Sequence, residues 1–147
     1  MQLPLGLRLS FENNPSWADR EFIDAALGRY NAQFLGDARW SYFGIFVRGE
    51  ADNADAPIRA GLVGHCYAGW LFIALLWVAE ELRRTGIGSG LMAEAERHGR
   101  EFGCHSAWVD TFSFQGPAFY PRLGYREFAR MAVPPGHQRI FFQKKLT

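Results

Sequence analysis

The stretch Val78-Ala79-Glu80-Glu81-Leu82-Arg83-Arg84-Thr85-Gly86-Ile87-Gly88-Ser89-Gly90-Leu91-Met92 constrains this chain more than any other. An apolar, strand-like segment runs into a glycine-rich turn, and the turn opens an amphipathic helix. The first amides of a helix have no partner one turn back, and the helix dipole places partial positive charge there. A glycine-rich helix start therefore wraps anions, because bare amides can approach a phosphate closely. Arg83 and Arg84 add permanent positive charge at the same place. The segment reads as a pyrophosphate cradle; a plain strand-to-helix turn is the alternative. No lysine follows the glycines as a nucleotide P-loop requires, and Gly90 falls one residue early for a dinucleotide-binding fingerprint.

At 147 residues the chain fits one domain, 1–147, with a substantial core. A net charge of +1 gives no electrostatic case for nucleic-acid binding. Aromatic residues reach 16%, which favours a dense core or an aromatic-walled pocket. Cys66 and Cys104 each adjoin a histidine, His65 and His105, but form no C-x-x-C pair. Two buried thiols are the expectation rather than a zinc site, so no metal is expected. Met1-Gln2-Leu3-Pro4 lacks the basic and apolar regions of a signal peptide, and the run from Trp70 to Ala79 is too short to span a bilayer. These features predict a cytoplasmic protein with reduced thiols and no membrane partner.

Leu5 to Phe11 alternates and predicts a first strand. Ser16, with Asp19 three residues on, starts a helix that runs from about Trp17 past Tyr30. Tyr42–Arg48 and Ile58–Tyr67 read as strands joined through a polar hairpin region, Gly49 to Pro57. Trp70–Val78 is almost continuously apolar, as for a strand buried on both faces. The next helix carries Ile87, Leu91, Met92, Ala95 and Phe102 on one side, with Glu94, Glu96, Arg97 and Arg100 mostly elsewhere, and closes at Gly103. A strand at Ser106–Phe112, a short helix around Pro117–Arg122, and strands at Tyr125–Arg130 and Arg139–Lys145 complete the order. The fold class is α/β with a mixed sheet around a central βαβ crossover.

Two motifs carry a family resemblance. Arg83-x-x-Gly86-x-Gly88 matches the Gln/Arg-x-x-Gly-x-Gly/Ala motif of the GNAT N-acetyltransferase superfamily, and Phe119-Tyr120-x-x-Leu123-Gly124-Tyr125 resembles that family's second signature at the family's separation. The resemblance covers Ile58 to Lys145. A subset of small bacterial members is similar also at Leu76-Trp77-Val78, Thr111-Phe112-Ser113-Phe114-Gln115 and Pro134-Pro135-Gly136-His137.

The resemblance implies a GNAT-like sheet in which the parallel strands Trp70–Val78 and Ser106–Phe112 splay apart to admit the pantetheine arm of acetyl-CoA, the co-substrate. Backbone groups of Leu76 and Val78 would meet the thioester and pantetheine. Arg83, Arg84, Thr85, Gly86, Ile87, Gly88 and Ser89 would surround the phosphates, with Ser113 where many members carry an Asn before the short helix. A serine there can still cap that helix. Tyr120 would protonate the departing thiolate as the catalytic acid. The base is open: Ala74 stands where the subset tends to carry Asp, and Glu80, Glu81, Asp110, His65, His137 or a water chain are the options. The implied reaction is acetyl transfer to a primary amine, most simply of a small molecule. Trp17, Tyr30, Phe34, Trp40 and Tyr42 could wall the acceptor cleft, and a homodimer is a family-level expectation. A protein or peptide amine as acceptor, or a non-catalytic coenzyme-A-binding module, are the competing readings.

Overall fold

The computed structural model describes residues 4–36, 39–49 and 56–147. The chain divides into two compact units, Met1–Ala38 and Arg39–Thr147. In the first, helix α1 spans Trp17–Leu35 and starts as its sequence predicts, with the Ser16 hydroxyl accepting the Asp19 amide at 3.1 Å. The predicted strand at Leu5–Phe11 does not form. A strand is held by its ladder partner, and the described residues of this unit offer no second extended segment to pair with it.

The second unit is a six-stranded mixed sheet in the order β1-β2-β3-β4-β6-β5. Its strands are β1 (Ser41–Arg48), β2 (Ile58–Tyr67), β3 (Trp70–Val78), β4 (Ser106–Phe112), β5 (Arg126–Val133) and β6 (His137–Lys145). All neighbours run antiparallel except β3 and β4, the pair that the long helix α2 (Ile87–Glu101) connects. A parallel pair needs such a crossover, because the chain must return to the same end of the sheet. The short helix α3 is Phe119–Arg122. Of the predicted Gly49–Pro57 hairpin region, residues 50–55 lie outside the described residues.

Alternation along the strands separates two faces. Ala60, Leu62 and Cys66 of β2 and Leu71 and Ile73 of β3 pack with Leu91, Met92 and Ala95 of α2 in one buried cluster. The opposite face carries rings: Trp40 stacks on Tyr67 at 4.0 Å and Phe72 on Trp108 at 4.0 Å, with His65 between them against Trp40 and Phe72. Glu96 departs from the expected polar side of α2, with its carboxylate buried. Lys144 of β6 reaches it, with Nζ at 2.8 and 2.7 Å from its two oxygens. No helix among the described residues is long and apolar enough to cross a membrane.

Candidate active site

The site begins with a bulge. Val63 pairs with Leu75 and Gly64 with Ile73, so Ala74 is one residue more on β3 than β2 can match. A bulge of this kind bends the strand that carries it. Gly64 makes it possible, since a Cβ there would lie 2.3 Å from the Phe72 carbonyl oxygen. The parallel β3–β4 pairing runs from Trp70–Ser106 to Ile73–Val109 and stops just before the bulge. Beyond it β3 continues on β2 while β4 continues on β6, so the two strands part. The apolar run predicts burial on both faces of β3, but Leu71 and Ile73 alone are buried, Trp70 and Phe72 on the other face are half-buried, and past Ile73, where β4 leaves, Ala74, Leu75 and Trp77 are exposed.

A cleft of about 960 Å³ occupies the parting, within the size range of small-molecule sites. Leu76 and Val78 line one wall, and Val109, Asp110 and Thr111 the other. Past Ile73, β3 has no partner strand on its β4 side among the described residues. Backbone groups left in this way accept a strand-like ligand.

One end of the cleft is the glycine loop. A 3₁₀ turn (Glu80–Leu82) follows β3, and the loop is tied internally by Thr85 Oγ1 donating to the Leu82 carbonyl at 2.6 Å and Ser89 Oγ donating to the Gly86 carbonyl at 2.8 Å. The first helical bond of α2 is Gly90 N to Gly86 O at 2.9 Å. The amides of Ile87, Gly88 and Ser89 therefore have no carbonyl one turn back. Gly86 adopts φ +91°, and a Cβ there would meet nothing within 4 Å, so the position needs glycine for its backbone and leaves open space beside it. Arg84 also takes a left-handed conformation, φ +64°, which few non-glycine residues adopt. The Arg83 side chain folds back so that Nε donates to the Val78 carbonyl at 3.2 Å, fixing the loop to the strand end. These features fit an anionic diphosphate: free amides, a positive helix end, two guanidinium groups and room.

Tyr120 forms part of the facing wall. It is buried, lies on Phe142 with ring centroids 5.5 Å apart, and meets Phe119 and Tyr125 edge-on. Burial, and then the nearby negative charge of Asp110, push its phenol up to about 12, so it stays protonated at neutral pH and can donate. Asp110 is itself held by Arg139, Nε to Oδ2 at 2.6 Å and Nη2 to Oδ1 at 2.8 Å.

The structure brings Leu76, Val78, Arg83, Arg84, Gly86, Gly88, Ser89 and Tyr120 to one cleft. Thr85 turns its hydroxyl to Leu82, and Ile87 packs against the core. Ser113 lies elsewhere: its Oγ accepts the Gln138 amide at 3.1 Å and its own amide donates to the Gln138 carbonyl at 2.8 Å. It does not cap α3, whose N-cap is Ala118 without a side-chain bond, because the start of β6 takes up its hydrogen-bonding groups. Among the options for a base only Asp110 lines the cleft. Glu81 pairs with Arg59, and a backbone hydrogen bond and then that guanidinium hold its carboxyl below the usual range. Burial lowers the His65 imidazole within the ring stack, and His137 packs edge-on against Phe114. Trp17, Tyr30 and Phe34 belong to α1, while Trp40 and Tyr42 join the ring stack.

Sequence reasoning missed Phe114, Gln115, Phe119 and Arg122 as cleft residues. All four fall in the second motif stretch, so proximity to Tyr120 was the available signal. Gln115 closes the turn after β4, its Oε1 accepting the Phe112 amide at 3.0 Å. No group of three or more His, Cys, Asp or Glu among the described residues is placed to hold a metal. Cys66 and Cys104 are buried free thiols beside each other, and burial pushes Cys66 up to about 12.

Known proteins share this architecture and its motifs. The acetyltransferase (GNAT) family pattern matches residues 9–125. Blasticidin-S acetyltransferase of Streptomyces morookaense is 48% identical over 91 residues, 60% of this chain and 67% of that protein. Acetyltransferase Atu2258 of Agrobacterium fabrum is 33% identical over 116 residues, 79% of this chain and 82% of that one. The crystal structure of an acetyltransferase from Bacillus cereus superposes with a TM-score of 0.74 at 34% identity, covering 92% of this chain and 97% of its own. The bulge-opened cleft, the glycine loop and Tyr120 thus sit in a chain that belongs to the GNAT family of acetyltransferases.

Proposed function

We propose that this acetyltransferase moves the acetyl group of acetyl-CoA to a primary amine of a small molecule, and that residues 1–147 serve this activity as one domain. The observation that carries the reading is the parting of β3 and β4 at Ala74, with free helix amides at one end of the cleft and Tyr120 in its wall. The unpaired edge of β3 around Leu76 receives the amide-bearing pantetheine arm as a partner strand would be received. The amides of Ile87, Gly88 and Ser89, with Arg83 and Arg84, hold the pyrophosphate. A backbone amide of β3 aimed at the thioester oxygen stabilises the charge that grows there as the amine attacks. The new C–N bond forms as the C–S bond breaks, Tyr120 donates its proton to the departing sulfur, and the proton lost by the amine leaves to solvent. The name of the Streptomyces relative supports the small-molecule acceptor, since it states acetyl transfer to blasticidin-S. Calorimetry with acetyl-CoA, followed by thiol release against a panel of amines, tests the reading. Absence of acetyl-CoA binding at millimolar ligand would overturn it.

A further inference from the structure

We propose that Asp110 reads positive charge on the acceptor, so that this cleft selects amines carried on organic cations. The inference rests on the acetyl-transfer reading above. Asp110 is the one carboxylate among the described residues lining the cleft, whereas Arg83, Arg84 and Arg122 line it too. The cleft is therefore polarised: arginines and free amides suit the anionic coenzyme, and a single negative side chain remains for the other substrate.

The position of Asp110 fits that task. It follows Val109, the last β4 residue paired with β3, and so stands where the strands begin to part. Alternation puts its side chain on the sheet face away from α2. Tyr120 approaches from the other side, lying on Phe142, which belongs to the buried face with Val109. The carboxylate and the phenol thus flank the parting, one toward each face.

The carboxylate is also set in advance. Arg139 grips it with two hydrogen bonds and is itself flanked by the rings of Phe112 and Phe141, 6.0 and 5.5 Å from its guanidinium carbon. Two such bonds use about half of the lone-pair positions of a carboxylate, and the others remain for a second cation. The Asp110 side chain is only 12% exposed, whereas that of Arg139 is 44% exposed. Solvent screens the guanidinium more than the carboxylate, so Arg139 cancels the Asp110 charge incompletely and the carboxylate still attracts a cation that reaches it. Leu75, Trp77 and Phe114 supply apolar surface in the same cleft for the body of the molecule.

4-(Aminomethyl)benzamidine, whose amidinium stays charged while its amine reacts, and benzylamine, which has no second cation, are the probes, with coenzyme A thiol release as the readout. Asp110→Asn should raise KM for 4-(aminomethyl)benzamidine about tenfold or more, as for loss of a charge-assisted hydrogen bond, while KM for benzylamine and the affinity for acetyl-CoA hold. Wild-type protein supplies a second measurement that needs no variant: cationic benzamidine should inhibit in competition with the amine, and neutral benzamide of the same shape should not. Equal shifts for both amines, or equal inhibition by benzamidine and benzamide, would overturn the assignment while leaving acetyl transfer standing. Wild-type protein that acetylates no amine would remove both readings.

Discussion

Tyr120 lies on Phe142 with planes 29° apart and centroids 5.5 Å apart, so the phenol of a four-residue helix is fixed by the sheet beneath it. The ring contacts do not involve the hydroxyl, and Tyr120→Phe should therefore fold normally. Turnover should fall about a hundredfold or more, the usual contribution of a general acid. Acetyl-CoA affinity should hold within about twofold, because one hydroxyl is lost and the wall keeps its shape. Unchanged turnover, in conditions where chemistry limits the rate, would take Tyr120 out of the mechanism.

Gly86→Asp should abolish tight acetyl-CoA binding. The backbone at φ +91° strains any side chain, and the carboxylate would stand in the open space assigned to the diphosphate. Gly86→Ala separates the two effects, adding strain of about 1–2 kcal/mol without charge. Calorimetry should find weak binding for the aspartate variant and clearly tighter binding for the alanine variant. Equal affinities would misplace the cradle.

Arg84 occupies a left-handed conformation, and its replacement by glycine relieves strain at the cost of a looser unfolded chain. Arg84→Gly should leave Tm unchanged or slightly raised. Arg84→Val places a β-branched side chain in the same conformation and should lower Tm by several degrees, since about 1 kcal/mol shifts a domain of this size by about 2–4 °C. Differential scanning calorimetry on the pair checks the conformation directly.

Glu96 and Lys144 join α2 to β6 through a carboxylate whose side chain is 8% exposed. Among the described residues, Lys144→Met leaves that charge with Arg100 alone as an ion-pair partner, 3.8 Å away, and should cost about 3–5 kcal/mol. Glu96→Gln combined with Lys144→Met should recover most of the loss, because no buried charge is then unpaired. Urea unfolding of the two single variants and the double variant reads the coupling.

Alkaline pH should destabilise the fold. Cys66 and Tyr120 rise to about 12 from ordinary values of 9.0 and 10.0, mainly through burial. The folded chain thus binds these protons more tightly than the unfolded chain does. Their contribution is complete below about pH 9 and is lost as pH rises toward 12. Tm measured against pH should fall across that window, and Tyr120→Phe should flatten its upper part. A level profile from pH 9 to 11 would contradict the burial of both groups.

The chain's elements were largely legible from residue order. Trp70–Val78 ends within one residue of its apolar run, and α2 begins at the glycine loop because the backbone of Gly86 turns there without strain. Local chemistry decides such features, and so the two motifs, with Tyr120 in the second, are legible in residue order. Leu5–Phe11 shows the limit, since alternation describes a strand's faces but cannot supply its partner. The burial of Glu96 depends on Lys144, forty-eight residues away, and Ser113 turns to Gln138 because β6 returns beside it. The parting of the strands belongs to the tertiary structure as well. It needs the Ala74 bulge on β3, Gly64 on β2 to make room for it, and β6 to hold β4 away, and each is a pairing between segments distant in the chain. Sequence alone determined which residues form the two motifs. Long-range register decided that they face one cleft, with Asp110 among them.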